Sequence, residues 1–338
     1  MKKRFSVIAV SVFLLVFGMG ANCLTQAKVI QWKAQSLFAP EDASTSVQAQ
    51  SVVDATNKAL KGKLETTLYQ CGQLIPAEEM VPGISRGVYD AAIMVSMMVE
   101  PAGLVAFGLP YGIDGYEQLN EFWYDYGFDE FMRKMYAKKG IYYVGPLPFG
   151  PVSLLSKFPV RKIEDIKGKK IWTEGPLAHL VEALGGQPVW FDPGEVYMGL
   201  KLGTIDGVFF GWAELETIKL KEVVKYVMTP SMINPVNFDW IVSMRSWKKL
   251  SPELQKAYMK AFRDNILPQH KKSLEVCQQG LDAAKAYGIE VITLSPEEQK
   301  KFREASIKVW DKAAQEDKNS AAAIKMMEDY LKSKGLLK

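Results

Sequence analysis

Gly87-Val88-Tyr89-Asp90-Ala91-Ala92-Ile93 and Gly203-Thr204-Ile205-Asp206-Gly207-Val208-Phe209 share one pattern: a glycine, two residues, an aspartate, then an apolar run. Each copy follows a short predicted helix, residues 78–85 in the first and 194–202 in the second. Glycine stops such a helix because it adopts a left-handed backbone without strain, and the aspartate can hydrogen-bond the turn that follows. The apolar run then enters a buried strand. A strand with a turn precedes each helix, over residues 68–76 and 189–193. The same succession at two distant places predicts two lobes of similar build.

The flanking sequence gives those lobes their class. In Val29-Ile30-Gln31-Trp32-Lys33-Ala34, the apolar Ile30, Trp32 and Ala34 recur at period two, the signature of a half-buried strand. An amphipathic helix follows, with Val47, Val52, Ala55 and Ala59 on one side and Gly62 at its end. Residues 64–69, rich in Thr, Leu and Tyr, read as a second strand. Strand, helix, strand at this spacing is a βαβ unit, which implies a parallel sheet. From Ser251 onward the chain is helical. Ser251-Pro252-Glu253 and Ser295-Pro296-Glu297-Glu298 are helix starts, with a strand at Glu290-Val291-Ile292 between them. The fold class is therefore α/β.

The N-terminus carries a basic segment, Lys2-Lys3-Arg4, then an apolar run over residues 7–19. That run falls short of the about 20 residues a membrane span needs. Thr25-Gln26-Ala27 supplies a small-x-small cleavage pattern, so residues 1–27 are expected to be a secretory signal cleaved near Ala27. The product is expected to be periplasmic and free of a membrane span. Gly20-Ala21-Asn22 before Cys23 makes a poor lipobox. Removing Lys2, Lys3 and Arg4 takes three positive charges from the formal +4 and leaves +1. A near-neutral protein has no electrostatic basis for binding nucleic acid. The remaining cysteines are Cys71 and Cys277, which either pair in an oxidising compartment or stay as free thiols.

Motifs for chemistry are missing. The chain has two histidines, His179 and His270, and neither has Ser, Cys or Asp at motif spacing. No C-x-x-C, H-E-x-x-H, P-loop or G-x-G-x-x-G occurs, and Gly83-Ile84-Ser85-Arg86-Gly87 matches G-x-S-x-G only in spacing, because it lies on a predicted helix and not on a strand-to-helix turn. An enzyme is not expected, nor a metal or other cofactor. The aromatic residues are more informative. Phe38, Tyr69, Phe149, Trp172, Trp190, Phe209, Phe210, Trp212 and Trp240 fall at predicted strand ends or in the loops that follow. Ligands of open α/β sheets bind outside the carboxyl ends of strands, so these rings are expected to line a partly aromatic cleft.

The sequence resembles the solute-binding subunits of tripartite ATP-independent periplasmic (TRAP) transporters. The resemblance rests on Gly72-Gln73-Leu74-Ile75-Pro76, Ile84-Ser85-Arg86-Gly87-Val88-Tyr89-Asp90, Leu109-Pro110-Tyr111-Gly112, and Ile163-Glu164-Asp165-Ile166-Lys167-Gly168-Lys169-Lys170-Ile171. It continues through Gly185-Gly186-Gln187-Pro188-Val189, Glu195-Val196-Tyr197-Met198-Gly199-Leu200 and Gly203-Thr204-Ile205-Asp206-Gly207. It implies a two-lobed periplasmic solute-binding fold with hinge strands and a long bracing helix, closing on its ligand. It also implies a small and a large TRAP membrane subunit as partners. The expected division is residues 28–149 with 240–279 as the first lobe, and 150–239 with 280–338 as the second.

Two departures from the family bear on the ligand. Family members typically place a carboxylate-clamping arginine where this chain has Trp172, and an oxygen-bearing side chain where it has Phe209 and Phe210. Phenylalanine cannot coordinate calcium, so a metal bridge is not expected. The expected contacts are Trp172, Phe209, Phe210, Trp212, Phe38, Tyr69 and Phe149, with Gln73 and Asn237 as polar partners. The favoured ligand is an aromatic or heteroaromatic organic acid or amino acid, stacked on the rings. The alternative is a small amine, held by aromatic faces and neutralised by Glu174 or Glu214. A third reading makes the protein a ligand-sensing subunit for a signalling receptor.

Overall fold

The computed structural model describes residues 28–38 and 43–337. The expected signal sequence, its cleavage pattern and Cys23 lie outside the described residues. Among the described residues eleven strands form two sheets. The first contains β1 (Ile30–Ser36), β2 (Leu64–Tyr69), β3 (Ala91–Met94) and β4 (Ile141–Pro148). The second contains β5 (Val152–Ser156), β6 (Lys170–Trp172), β7 (Gln187–Val189), β8 (Gly207–Gly211) and β9 (Tyr226–Thr229). The chain then returns to the first sheet as β10 (Asn237–Ser243) and ends its strands in the second as β11 (Glu290–Thr293). The orders are β2-β1-β3-β10-β4 and β11-β9-β5-β8-β6-β7.

Each sheet has a parallel βαβ half, which the strand spacing predicts for the first: β1 pairs in parallel with β2 and β3, and β6 with β7 and β8. Each also accepts one antiparallel strand adjoining the crossover. β10 lies between β3 and β4, and β5 lies between β8 and β9.

The repeated Gly-x-x-Asp turn does the same work in both lobes. Gly87 and Gly203 end helices Met80–Arg86 and Val196–Leu202 at φ 72° and 78°, a conformation that favours glycine. The Asp90 carboxylate accepts the Lys33 N–H at 2.8 Å, and the Asp206 carboxylate accepts the Lys170 N–H at 2.9 Å. The Asp90 N–H donates to the Lys33 carbonyl, and the Asp206 N–H to that of Lys170. Each aspartate therefore pins its turn to the strand entering the βαβ unit, β1 in one lobe and β6 in the other.

Two short segments, residues 149–151 and 230–236, and the helix Pro252–Tyr287 join the lobes. The short segments are tied to each other: Phe149 N–H donates to Val236 O, and Val152 N–H to Ile233 O. The helix Pro252–Tyr287, 36 residues long, extends about 54 Å and braces both lobes. Its first half packs on helix Ala43–Ala59 and its last part on helix Glu214–Thr217. Trp240 on β10 donates its indole N–H to the Tyr258 hydroxyl at 2.7 Å, with both side chains fully buried.

The tail differs from the sequence expectation. Helix Lys318–Ser333, expected in the second lobe, buries Ile324, Met327, Tyr330 and Leu331 among Phe122, Phe128 and Met132 of the first. Helix Pro296–Ala314 spans both lobes, with Trp310 in that same core while the helix also packs on helix Pro176–Ala183. Amphipathic periodicity specifies that a helix buries one face, and leaves open which surface receives it.

Candidate functional site

The carboxyl ends of β1, β2, β3 and β4 lie at one edge of the first sheet, and those of β6, β7, β8 and β9 at one edge of the second. The two linking segments connect these edges, so the segments leaving them line the interlobe cleft. They are residues 37–38, 70–79, 95–102, 149–151, 173–178, 190–195, 212–218 and 230–236, and none contains a lysine or arginine. The lobes touch here. A β-carbon on Gly175, which follows β6, would lie 2.7 Å from Met97 Cε, which follows β3.

On the first lobe, Phe38, Phe107 and Phe149 surround Phe238, with ring centroids 4.6, 6.1 and 4.7 Å away in edge-on arrangements. Phe38 and Phe238 are half-buried, whereas Phe149 is buried. The grouping brings together Phe38 and Phe149, named from the sequence, and Phe238, which was not. Phe238 is the second residue of β10, and only strand exchange through the hinge carries it to the cleft. Tyr69 is half-buried at the end of β2. Gln73 is exposed, and its side-chain Oε1 accepts the Gln70 backbone N–H at 2.9 Å.

On the second lobe the rings named from the sequence, Trp190 excepted, are committed to packing. Trp172 is 3% exposed, and its indole N–H donates to Phe191 O at 2.9 Å. Its ring stacks on Phe210 at 5.4 Å and 9°. The position expected to face the ligand is thus occupied by a ring folded into its own lobe. Phe209 is buried and Phe210 half-buried. Trp212 donates its indole N–H to Ser153 Oγ at 2.9 Å. Trp190, one residue past β7, is 66% exposed. Among the described residues no group of three or more His, Cys, Asp or Glu side chains converges on a possible metal position.

The polar groups are acidic or neutral. Glu174 follows Thr173 into the cleft and has no ion pair or hydrogen bond among the described residues. Water reaches it, yet enough protein flanks it that desolvation raises its carboxyl pKa. Glu214 lies over Gly211, where a β-carbon would stand 2.5 Å from its Oε2. Asn237 is buried; its amide N–H donates to Pro235 O at 3.2 Å, and Oδ1 has no partner among the described residues. Thr173 Oγ1 is in the same condition. Arg303 stands 5.5 Å over the Tyr111 ring, and its side chain donates to Leu336 O at 3.4 Å.

The two histidines have no catalytic setting. His270 is buried on the long helix against the hinge backbone at Pro148 and Phe149, and burial lowers its pKa. His179 lies on helix Pro176–Ala183, 3.9 Å from the Glu182 carboxylate. Cys71 and Cys277 are free thiols. Burial pushes the Cys277 thiol pKa up to about 12.

Residues 36–317 match the family described as bacterial extracellular solute-binding protein, family 7 (DctP). A monocarboxylate 2-oxoacid-binding periplasmic protein of a Nostoc species is 21% identical over 297 residues, covering 85% of this chain and 80% of the relative. Two solved TRAP periplasmic solute-binding proteins share the fold. One, from Colwellia psychrerythraea, holds calcium and pyruvate; it is 18% identical at TM-score 0.81, covering 91% of this chain and 96% of that one. The other, from Chromohalobacter salexigens, holds (S)-(+)-2-amino-1-propanol; it is 20% identical at TM-score 0.77, covering 90% and 96%.

Proposed function

Because the chain belongs to bacterial extracellular solute-binding protein family 7, a family of TRAP-transporter binding proteins and not of enzymes, we propose that it captures a small organic cation. The ligand is an ammonium group on an apolar body, taken up in the interlobe cleft and passed to TRAP membrane subunits. One observation carries this reading: the segments at the cleft edge contain no lysine or arginine, while Glu174 stands there unpaired among the described residues. An anion would meet no side-chain cation on these segments and would be repelled by Glu174. An ammonium would find that carboxylate, the acceptor Asn237 Oδ1, and the faces of exposed aromatic rings, each worth about 0.5–2 kcal/mol to a cation. The aromatic organic acid draws support from the ring content alone, and its carboxylate would depend on backbone N–H groups.

Opposite pH responses separate the two. Glu174 has a raised pKa, so lowering the pH through it neutralises the carboxylate. Affinity for an ammonium then falls and affinity for a carboxylate rises. A thermal-shift series with 2-phenylethylamine and phenylacetate, each with a strong chelator present, makes the comparison. A ligand at 100 times its dissociation constant adds about 2.7 kcal/mol of stability. Stabilisation by the amine that weakens in acid, and is reduced about ten-fold in affinity by Glu174→Gln, is the expected result. Stabilisation by phenylacetate alone would overturn it.

A further inference from the structure

Lys33 and Lys170 occupy equivalent places, each held by the aspartate of its lobe's Gly-x-x-Asp turn. Two residues further along the entering strand stand Gln35 and Trp172, unlike in chemistry but alike in one bond. Gln35 Nε2 donates to Ile75 O at 2.9 Å, and Trp172 Nε1 donates to Phe191 O at 2.9 Å. The two acceptors are equivalent as well. Ile75 and Phe191 each stand two residues before a short 3-10 turn, Ala77–Glu79 and Pro193–Glu195. That turn leads in each case into a seven-residue helix. Each also presses on a glycine of that helix: a β-carbon on Gly83 would lie 2.5 Å from Ile75 Cδ1, and one on Gly199 2.8 Å from Phe191 Cζ.

We infer that Trp172 is a positioning residue, the second lobe's counterpart of Gln35, and that the ring presented to the ligand on this loop is Trp190. The bond to Phe191 O fixes the residue directly after Trp190. The stack on Phe210 anchors the bolt to β8. Trp190 is left projecting at the cleft edge, 66% exposed, while Trp172 is 3% exposed. Leu74 holds the equivalent place in the first lobe, just before the bolted Ile75. The assignment of Trp190 as a ligand contact rests on the cleft reading above; the assignment of the bolt does not.

Amide hydrogen exchange of residues 190–195 tests the bolt without a ligand. Trp172→Phe keeps a ring and loses the donor, and exchange of that segment is expected to quicken on the order of ten-fold, as for one lost buried hydrogen bond. Trp172→Gln supplies the donor seen at Gln35 and is expected to restore slow exchange. Gln35→Met, which leaves Trp172 intact, also removes the bonds that Gln35 Oε1 accepts from the Leu74 and Ile75 N–H groups, and is expected to loosen residues 74–76 more strongly. Unchanged exchange in both Trp172→Phe and Gln35→Met would overturn the inference, as would failure of Trp172→Gln to differ from Trp172→Phe. With 2-phenylethylamine as probe, Trp190→Ala is expected to weaken binding about ten-fold. Trp172→Phe is then expected to add little in the Trp190→Ala background, because both act through one ring. Additive losses would give Trp172 a direct contact and refute its positioning role. A wild type that ignores the amine would refute the ammonium reading while the exchange comparison still decides the bolt.

Discussion

The hinge offers a sharp mechanical test at Gly150. A β-carbon there would lie 2.2 Å from Cys277 Sγ on the long helix. Ordinary contact between such atoms needs about 3.5–4.0 Å, so the sulfur or the hinge must move by more than an ångström. Cys277 is 4% exposed and its short side chain has no slack. Gly150 does not use a left-handed backbone, so alanine brings no torsional penalty and the effect is steric alone. Overpacking of this kind costs about 1–3 kcal/mol, and for a chain of this size each kcal/mol is worth roughly 2–4 °C in melting temperature. Gly150→Ala is therefore expected to lower the midpoint, and Cys277→Ala in the same protein to recover much of the loss. A thermal and urea melt of wild type, both single variants and the double variant closes the cycle, with coupling on the order of 1 kcal/mol. A Gly150→Ala protein as stable as wild type, or a double variant no better than it, would refute the argument that the hinge threads directly against the helix.

Two further outcomes follow from buried titrating groups. Asp239, fully buried, accepts from Ser96 Oγ at 2.7 Å and from Tyr136 Oη at 2.5 Å. Burial raises its pKa from 3.8 to about 7. The native state keeps this proton where the unfolded state has lost it, so the group contributes stability at low pH that fades as pH rises towards neutrality. Asp239→Asn is expected to remove that slope, read as the difference between the two proteins' urea midpoints across the pH range; parallel profiles would count against it. A maleimide at mildly alkaline pH is expected to label Cys71 and spare Cys277 in the folded protein, because burial holds the Cys277 thiol pKa near about 12. Equal labelling, measured by intact mass, would show that Cys277 is accessible.

Much of the fold was legible in the sequence because it depends on local chemistry. The glycines that end helices Met80–Arg86 and Val196–Leu202, and the aspartates that hold the next strand's neighbour, act within a few bonds of the turn, so their pattern alone predicted two lobes of similar build. The absence of basic residues from the cleft segments could also be read there, once the strand ends were known. The exchange of β5 and β10 between lobes could not, because an antiparallel strand flanked by crossovers looks like any buried apolar run. The side to which helix Lys318–Ser333 docks was likewise decided only in three dimensions. Trp172 shows the limit most plainly. Its position in the chain pointed to the ligand, but an indole carries both a donor and a large apolar face. The tertiary structure satisfies the first at Phe191 O and the second against Phe210, burying the ring inside its own lobe. What a side chain touches depends on which distant surfaces are brought beside it, and that is set by packing rather than by sequence position.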